Sequence, residues 1–122
     1  MESSKMLIAL QAELKAKKNV PVIITGDFNA TPNDEIIKAL KEAFFDSFST
    51  SIQKPYGNSG TWNGFEFDKK PDNQIDYIFY DKKSKIYVRK FATIDDFYDF
   101  KYPSDHLPIL ATFGFETINK NN

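Results

Sequence analysis

Helical and extended patterns alternate along this chain, and that alternation predicts an α/β fold. Three observations carry the prediction. Leu7, Leu10 and Leu14 recur at spacings of three and four, the period of a helix with one buried stripe. Val20 to Ile24 is then a short run apolar on both faces, as expected of a central, covered strand. Gly26-Asp27-Phe28-Asn29 follows directly, a polar segment at a strand's carboxyl end, where such folds place their chemistry.

The elements follow in order. Ser3 or Ser4 can cap the first helix, Lys15, Lys17 and Lys18 suit its carboxyl end, and Asn19 ends it. Pro21 sits near the start of the first strand, where proline is tolerated. Thr31 caps a second helix with Pro32 in its first position, acids in its first turn, and Ile36, Ile37 and Leu40 as its buried stripe. Ser49 to Gly60 is polar, holds Pro55 and Gly57, and reads as loop. Thr61 to Phe67 suits a short aromatic strand, and Lys69 to Asn73 turns the chain into the strand Gln74 to Tyr80. Asp81 to Ser84 reads as a hairpin-like connection to a strand over Ile86 to Ile94. The acidic aromatic loop Asp95 to Phe100, a last strand over Pro108 to Phe115 and a fraying tail complete the chain.

The bulk composition bounds the function. One domain suits 122 residues, and 41% hydrophobic with 16% aromatic residues argues against disorder. Without cysteine there is no disulfide or thiolate zinc site. A net charge of −1 provides no global basic field to gather a polyanion. No apolar run approaches the roughly 20 residues that span a bilayer. Cellular location stays open.

The chemistry-bearing residues are few. Asp27 and Asn29 share a face if their backbone is extended, although Gly, Asp and Asn also favour turns, so the tetrapeptide suits a site or a turn equally. Asp76 lies between Ile75 and Tyr77 in an apolar strand, where an unpaired carboxylate is costly. His106, the only histidine, would relieve that cost as a spatial neighbour, and the carboxylate would fix its tautomer. Asp105 offers a hard oxygen of the kind Mg²⁺ prefers, or a plain loop acid. Trp62 and Asn63 offer a ring and a carboxamide to a base or sugar, or a core tryptophan beside a turn. Walker, dinucleotide and serine-hydrolase motifs are absent.

In order, Gly26-Asp27-Phe28-Asn29, Thr61-Trp62-Asn63-Gly64-Phe65, Gln74-Ile75-Asp76-Tyr77-Ile78 and Ser104-Asp105-His106-Leu107-Pro108 resemble the endonuclease/exonuclease/phosphatase superfamily, with its deoxyribonuclease I-like fold. The resemblance implies an α+β sandwich of two packed sheets flanked by helices, and Mg²⁺-dependent (alternatively Mn²⁺-dependent) attack of water on a phosphoester. It implies that Asp27 orients the water, Asn29 positions the phosphate, and both help at the metal. It makes Asp105 a metal ligand and has His106, paired to Asp76, stabilise the transition state. Trp62 and Asn63 would face the substrate.

Members of that superfamily are longer, and their amino-terminal half supplies an Asn, a metal-binding Glu and a second His. Residues 1–122 therefore resemble the carboxyl-terminal half of the four-layer sandwich, with the amino-terminal half absent and little catalysis expected from this stretch alone. The absent half would supply one sheet, leaving an apolar sheet face that drives self-association as a homo-oligomer. The alternative function is a non-catalytic module that binds a partner through that sheet. The substrate, whether nucleic acid, nucleotide or phosphorylated small molecule, is not specified by these residues.

Overall fold

The computed structural model describes residues 2–18, 20–57, 60–61, 74–94 and 106–116. The expected aromatic strand after Thr61, the loop from Asp95 to Phe100 and the carboxyl-terminal tail lie outside the described residues, as do Trp62, Asn63 and Asp105.

The first helix, α1 (Glu2–Lys18), begins before the proposed serine caps, so Ser4 lies inside it and is buried. Its inward stripe is also rotated from the leucine spacing. Leu7 and Ile8 pack on the core beside buried Gln11, while Leu10 stays exposed. The same face carries Lys15, which pairs with Asp81 at 3.3 Å.

Strand β1 (Ile23–Asp27) pairs antiparallel with β3 (Asp76–Asp81), which pairs on its other side with β2 (Phe44–Asp46). Among the described residues β1 is therefore an edge strand, not the covered central strand its apolar run suggests, and Ile23 is exposed. Apolar content reports burial tendency, not the number of neighbours a strand has.

Between β1 and β2, helix α2 (Glu35–Leu40) starts later than expected. Thr31 to Asp34 forms a turn in which the Asp34 carboxylate accepts from the Thr31 amide and hydroxyl, and Asp34 occupies the cap position. After β2, Asp46 accepts from the Phe48 amide at 3.0 Å and caps a short helix, α3 (Ser47–Thr50), inside the stretch read as loop. Residues 52–56 then run along the next strand, with Ile52 donating to the Val88 carbonyl and Tyr56 to that of Phe91. Gly57 follows with φ of 82°, and a side chain there would collide with the Thr93 carbonyl.

Strand β4 (Ile86–Thr93) pairs antiparallel with β5 (Ile109–Phe115) in a separate sheet, with an extra residue at Arg89 shifting the register. The Asp81–Ser84 connection is thus a turn between sheets and not a hairpin. Both edges of β3 are taken by β1 and β2, so β4 has no edge of β3 left to pair with.

Alternation along β3 builds two cores. Tyr77 and Phe79 face α1 and α2, packing with Ile37, Leu40 and Phe44, and Phe28 meets Phe79 edge-on at 5.4 Å. Tyr80 and Ile78 face the second sheet, where Val88, Phe91 and Phe113 cover them, and Tyr80 meets Phe113 edge-on at 5.5 Å. The layers are helices, sheet and sheet, an α/β sandwich. Contrary to expectation, this stretch contributes strands to both sheets. The remaining apolar exposure is at strand ends and outward positions, with Phe115 73% and Leu110 59% exposed. No helix among the described residues is long and apolar enough to cross a membrane.

Asp81 ties these layers together. Its fully buried carboxylate accepts from the Val22 amide at 2.6 Å and the Lys83 amide at 3.0 Å, and pairs with Lys15 Nζ at 3.3 Å. Asp81→Ala removes the carboxylate from the Lys15 ammonium, which keeps only the Val20 carbonyl, and leaves the Val22 and Lys83 amides without this acceptor, so a loss of about 2–4 kcal/mol is expected in urea unfolding. A loss below about 1 kcal/mol, the size of an exposed pair, would contradict this role.

Burial pushes the Asp46 carboxyl above its usual range, opposed by the Phe48 amide, Lys41 and Gln74. A raised folded-state pKa means the native state holds this proton to higher pH than the unfolded chain. Its stabilising contribution is therefore complete below the ordinary carboxylate pKa and is lost as pH rises through the folded value. Asp46→Asn keeps a cap acceptor and should flatten that part of the stability curve between acid and neutral pH. An unchanged slope in denaturant titrations across this window would count against it.

Candidate functional site

The β1–β3 register brings the end of one strand against the start of the other, with Asp27 directly opposite Asp76. Both side chains lie on the face shared with Thr25 and Ile78, which looks toward the second sheet. A cleft of about 360 Å³ opens there, lined by Thr25, Asp27, Asp76, Ile78, Leu107 and Pro108 among others. His106 arrives from the other sheet, at the approach to β5, anchored by buried Leu107 and by the Ile94 amide donating to the Pro108 carbonyl.

His106 Nδ1 lies 2.8 Å from Asp76 Oδ2, the pairing that the cost of an isolated carboxylate predicts. A carboxylate only accepts, so Nδ1 carries the proton and Nε2 is directed away from Asp76. Nε2 lies 3.6 Å from Asp27 Oδ2, beyond direct hydrogen-bond reach. Side-chain exposure rises along this chain of groups, from 16% at Asp76 to 31% at His106 and 45% at Asp27. The inner carboxylate orients the ring, and the outer one meets solvent.

Asn29 does not continue an extended run. Its φ is 49°, a left-handed conformation that asparagine tolerates, and its amide donates to Asp27 Oδ1 at 2.7 Å. Asp27 therefore serves turn and cluster at once, one oxygen for each. Asn29 meets Asp27 through its backbone, and its carboxamide is not on the same face by strand alternation.

Two further contributors were given no site role by the sequence. The single Tyr77 hydroxyl hydrogen is shared between the carbonyls of Ala30 at 2.7 Å and Gln74 at 3.0 Å, tying the segment after Asn29 to the one before Asp76. Burial pushes that phenol well above its usual pKa, so it stays a donor. Thr61, read from the sequence as the start of a strand and of a family-like motif, contacts the backbone on both sides of the Asp76–His106 pair.

Asp27, Asp76 and His106 offer ligand atoms within 4.8 Å of one another and could together hold a divalent metal. The donor set fits a hard ion only partly. Asp76 Oδ2 is engaged by the imidazole and Asp27 Oδ1 by an amide, which leaves Asp27 Oδ2, on the more exposed residue, and Asp76 Oδ1 as the hard oxygens outside those two bonds. Mg²⁺ demands near-octahedral oxygen coordination, so further oxygens would complete the shell.

The human protein Nocturnin is 30% identical over 114 residues, which cover 79% of this chain and 25% of Nocturnin. A mannosyl-6-phosphatase from Bacteroides thetaiotaomicron superposes with a TM-score of 0.85 at 28% identity, over 93% of this chain and 45% of that one. The human Nocturnin catalytic domain with a bound sulfate anion superposes with a TM-score of 0.63 at 25% identity, covering 93% and 40%. This chain thus spans less than half the length of these solved structures and a quarter of the curated relative. The match to the sequence pattern itself runs over residues 2–106, from the first helix to the histidine that Asp76 holds, and by it the chain belongs to the Endonuclease/Exonuclease/phosphatase family.

Proposed function

We propose that the intact protein is a divalent-metal-dependent phosphoester hydrolase, using Mg²⁺ or Mn²⁺, and that residues 1–122 form the carboxyl-terminal half of its catalytic domain. The observation that carries this reading is the Asp76–His106–Asp27 chain of contacts at 2.8 and 3.6 Å. Hydrolysis needs a water held in line with the phosphorus, neutralisation of charge on the phosphoryl oxygens, and a proton destination.

Asp27 Oδ2 orients the water and accepts its proton as the oxygen–phosphorus bond forms and the bond to the leaving oxygen breaks. His106, its ring fixed by Asp76, acts in its doubly protonated form and donates from Nε2 to a phosphoryl oxygen, while the leaving oxygen takes its proton from solvent. Asn29 positions the phosphate, and Asp105, adjacent to His106 in the chain, joins Asp27 and Asn29 in holding the ion. A bound Mg²⁺ would supply positive charge to the phosphoryl oxygens. Trp62 and Asn63 contact the remainder of the substrate.

A phosphorylated small molecule is the favoured substrate. The net charge of −1 supplies no field for a duplex, and a relative of similar fold is a mannosyl-6-phosphatase. The sulfate in the Nocturnin catalytic domain supports a tetrahedral oxyanion as the recognised group.

The test is metal-dependent release of phosphate from a sugar phosphate, beside cleavage of a dinucleotide diester. Each is measured with the whole domain, with residues 1–122 alone, and with Asp27→Asn in each. Turnover by the whole domain that falls roughly 100-fold or more in the variant is expected, the loss typical of a positioned proton acceptor. Residues 1–122 alone should stay at the control level. Turnover by that stretch alone, lost in Asp27→Asn, would overturn the need for the other half. Turnover unaffected by the variant in the whole domain would overturn the role of Asp27.

The second reading, an interaction module, rests on exposed Leu110 and Phe115 and on β1 and β5, each paired on one side only among the described residues. Isolated, residues 1–122 should self-associate, and sedimentation velocity should show a dimer or larger species at micromolar concentration. A monomer throughout would remove this reading.

A further inference from the structure

We propose that Thr61 is the positioning residue that sets the distance between Asp76 and His106, an inference that deepens the reading of the same site as a hydrolase. Asp76 starts a strand of the first sheet, and His106 precedes a strand of the second. They are 30 positions apart, yet their side chains must meet within hydrogen-bond distance. Something has to hold one backbone against the other.

Thr61 touches both. Its Oγ1 accepts the Ile75 and Asp76 amides, each at 3.1 Å, and its carbonyl accepts the Leu107 amide at 2.6 Å. The residue is 1% exposed, so water does not substitute for these bonds. Strand β2 ends opposite Phe79 and does not reach this far, which leaves the start of β3 dependent on a side-chain acceptor.

The chemistry demands a hydroxyl. A hydroxyl oxygen has two lone pairs, and here both receive an amide from consecutive residues. Valine has the same shape without the acceptor, and its presence would leave two part-buried amides without it. Serine keeps the acceptor and loses only a methyl. Thr61 is thus a strut one residue long: its hydroxyl fixes Asp76, and its carbonyl fixes the residue after His106.

The single histidine provides the readout. In ¹⁵N-labelled protein the ring Nδ1–H donated to Asp76 gives one resonance with no competitor. In Thr61→Val that resonance should broaden or vanish. The Ile75 and Asp76 amides, which lose their acceptor, should exchange roughly tenfold or more faster, while the Val88 and Phe91 amides in the second sheet keep their protection. Thr61→Ser should restore both signals. An unchanged ring resonance in Thr61→Val would overturn the proposal, as would a Thr61→Ser variant that behaves like valine.

If Thr61→Val does not fold, the unaltered protein decides. Ile75, Asp76 and Leu107 amides protected to the level of central β3 amides support the strut, and exchange at the rate of open amides overturns it. None of these signals requires substrate or turnover. A whole domain without hydrolase activity but with a hydroxyl-dependent ring resonance would sink the functional reading and leave this one standing, and the reverse result would do the opposite.

Discussion

The register between β1 and β3 governs the rest of this structure, and a buried carboxylate sets it. Asp81 closes the ladder at one end by taking the Val22 amide on its side chain while its own amide donates to the Val22 carbonyl at 3.0 Å. With that end fixed, counting along two antiparallel strands puts Asp27 opposite Asp76 at the other. A slip of one residue would turn the β1 carboxylate to the helix side of the sheet, away from the cleft. The same group pairs with Lys15, so α1 and the strand pairing meet at one charge. A buried ion pair of this kind is weak proof of net stability, and its value here lies in excluding other registers.

From that register follows the division of labour across β3. Its odd positions fill the helix side and its even positions fill the space between the sheets, so one strand serves both cores. The cluster of polar groups sits where the inter-sheet layer runs out of apolar side chains, at the mouth between the two sheets. That position explains the gradient of exposure across Asp76, His106 and Asp27. The most enclosed carboxylate is the one with a close partner, as the cost of burying charge requires.

Much of this was legible in the residues. An acid in an apolar strand and a lone histidine beside an acid called for each other, and they are in contact at 2.8 Å. Strand β5 and the α/β alternation were also readable from period and turn residues. What escaped was set by neighbours. The Asp81–Ser84 turn has the composition of a hairpin, yet both edges of β3 were occupied. Leu10 fits the helical stripe, yet it stays exposed on an α1 whose inward face carries Lys15. The tetrapeptide after β1 suited an extended site or a turn equally, and the Asn29 amide, donating to the Asp27 carboxylate with the backbone left-handed, makes it a turn. Thr61 opened a family-like motif, but its bracing role did not show, because a hydroxyl that caps two amides looks like any other threonine.

The pairing of Val22 with Asp81 also has a kinetic side. It closes a loop of 59 positions, whereas β4 and β5 enclose a much shorter one. Chain entropy opposes long closures first, so local pairs form early and distant ones wait for them. The second sheet with its approach to His106 can therefore assemble before β1 docks. Asp27 would be among the last groups to arrive, and the cluster would come into being only as folding ends.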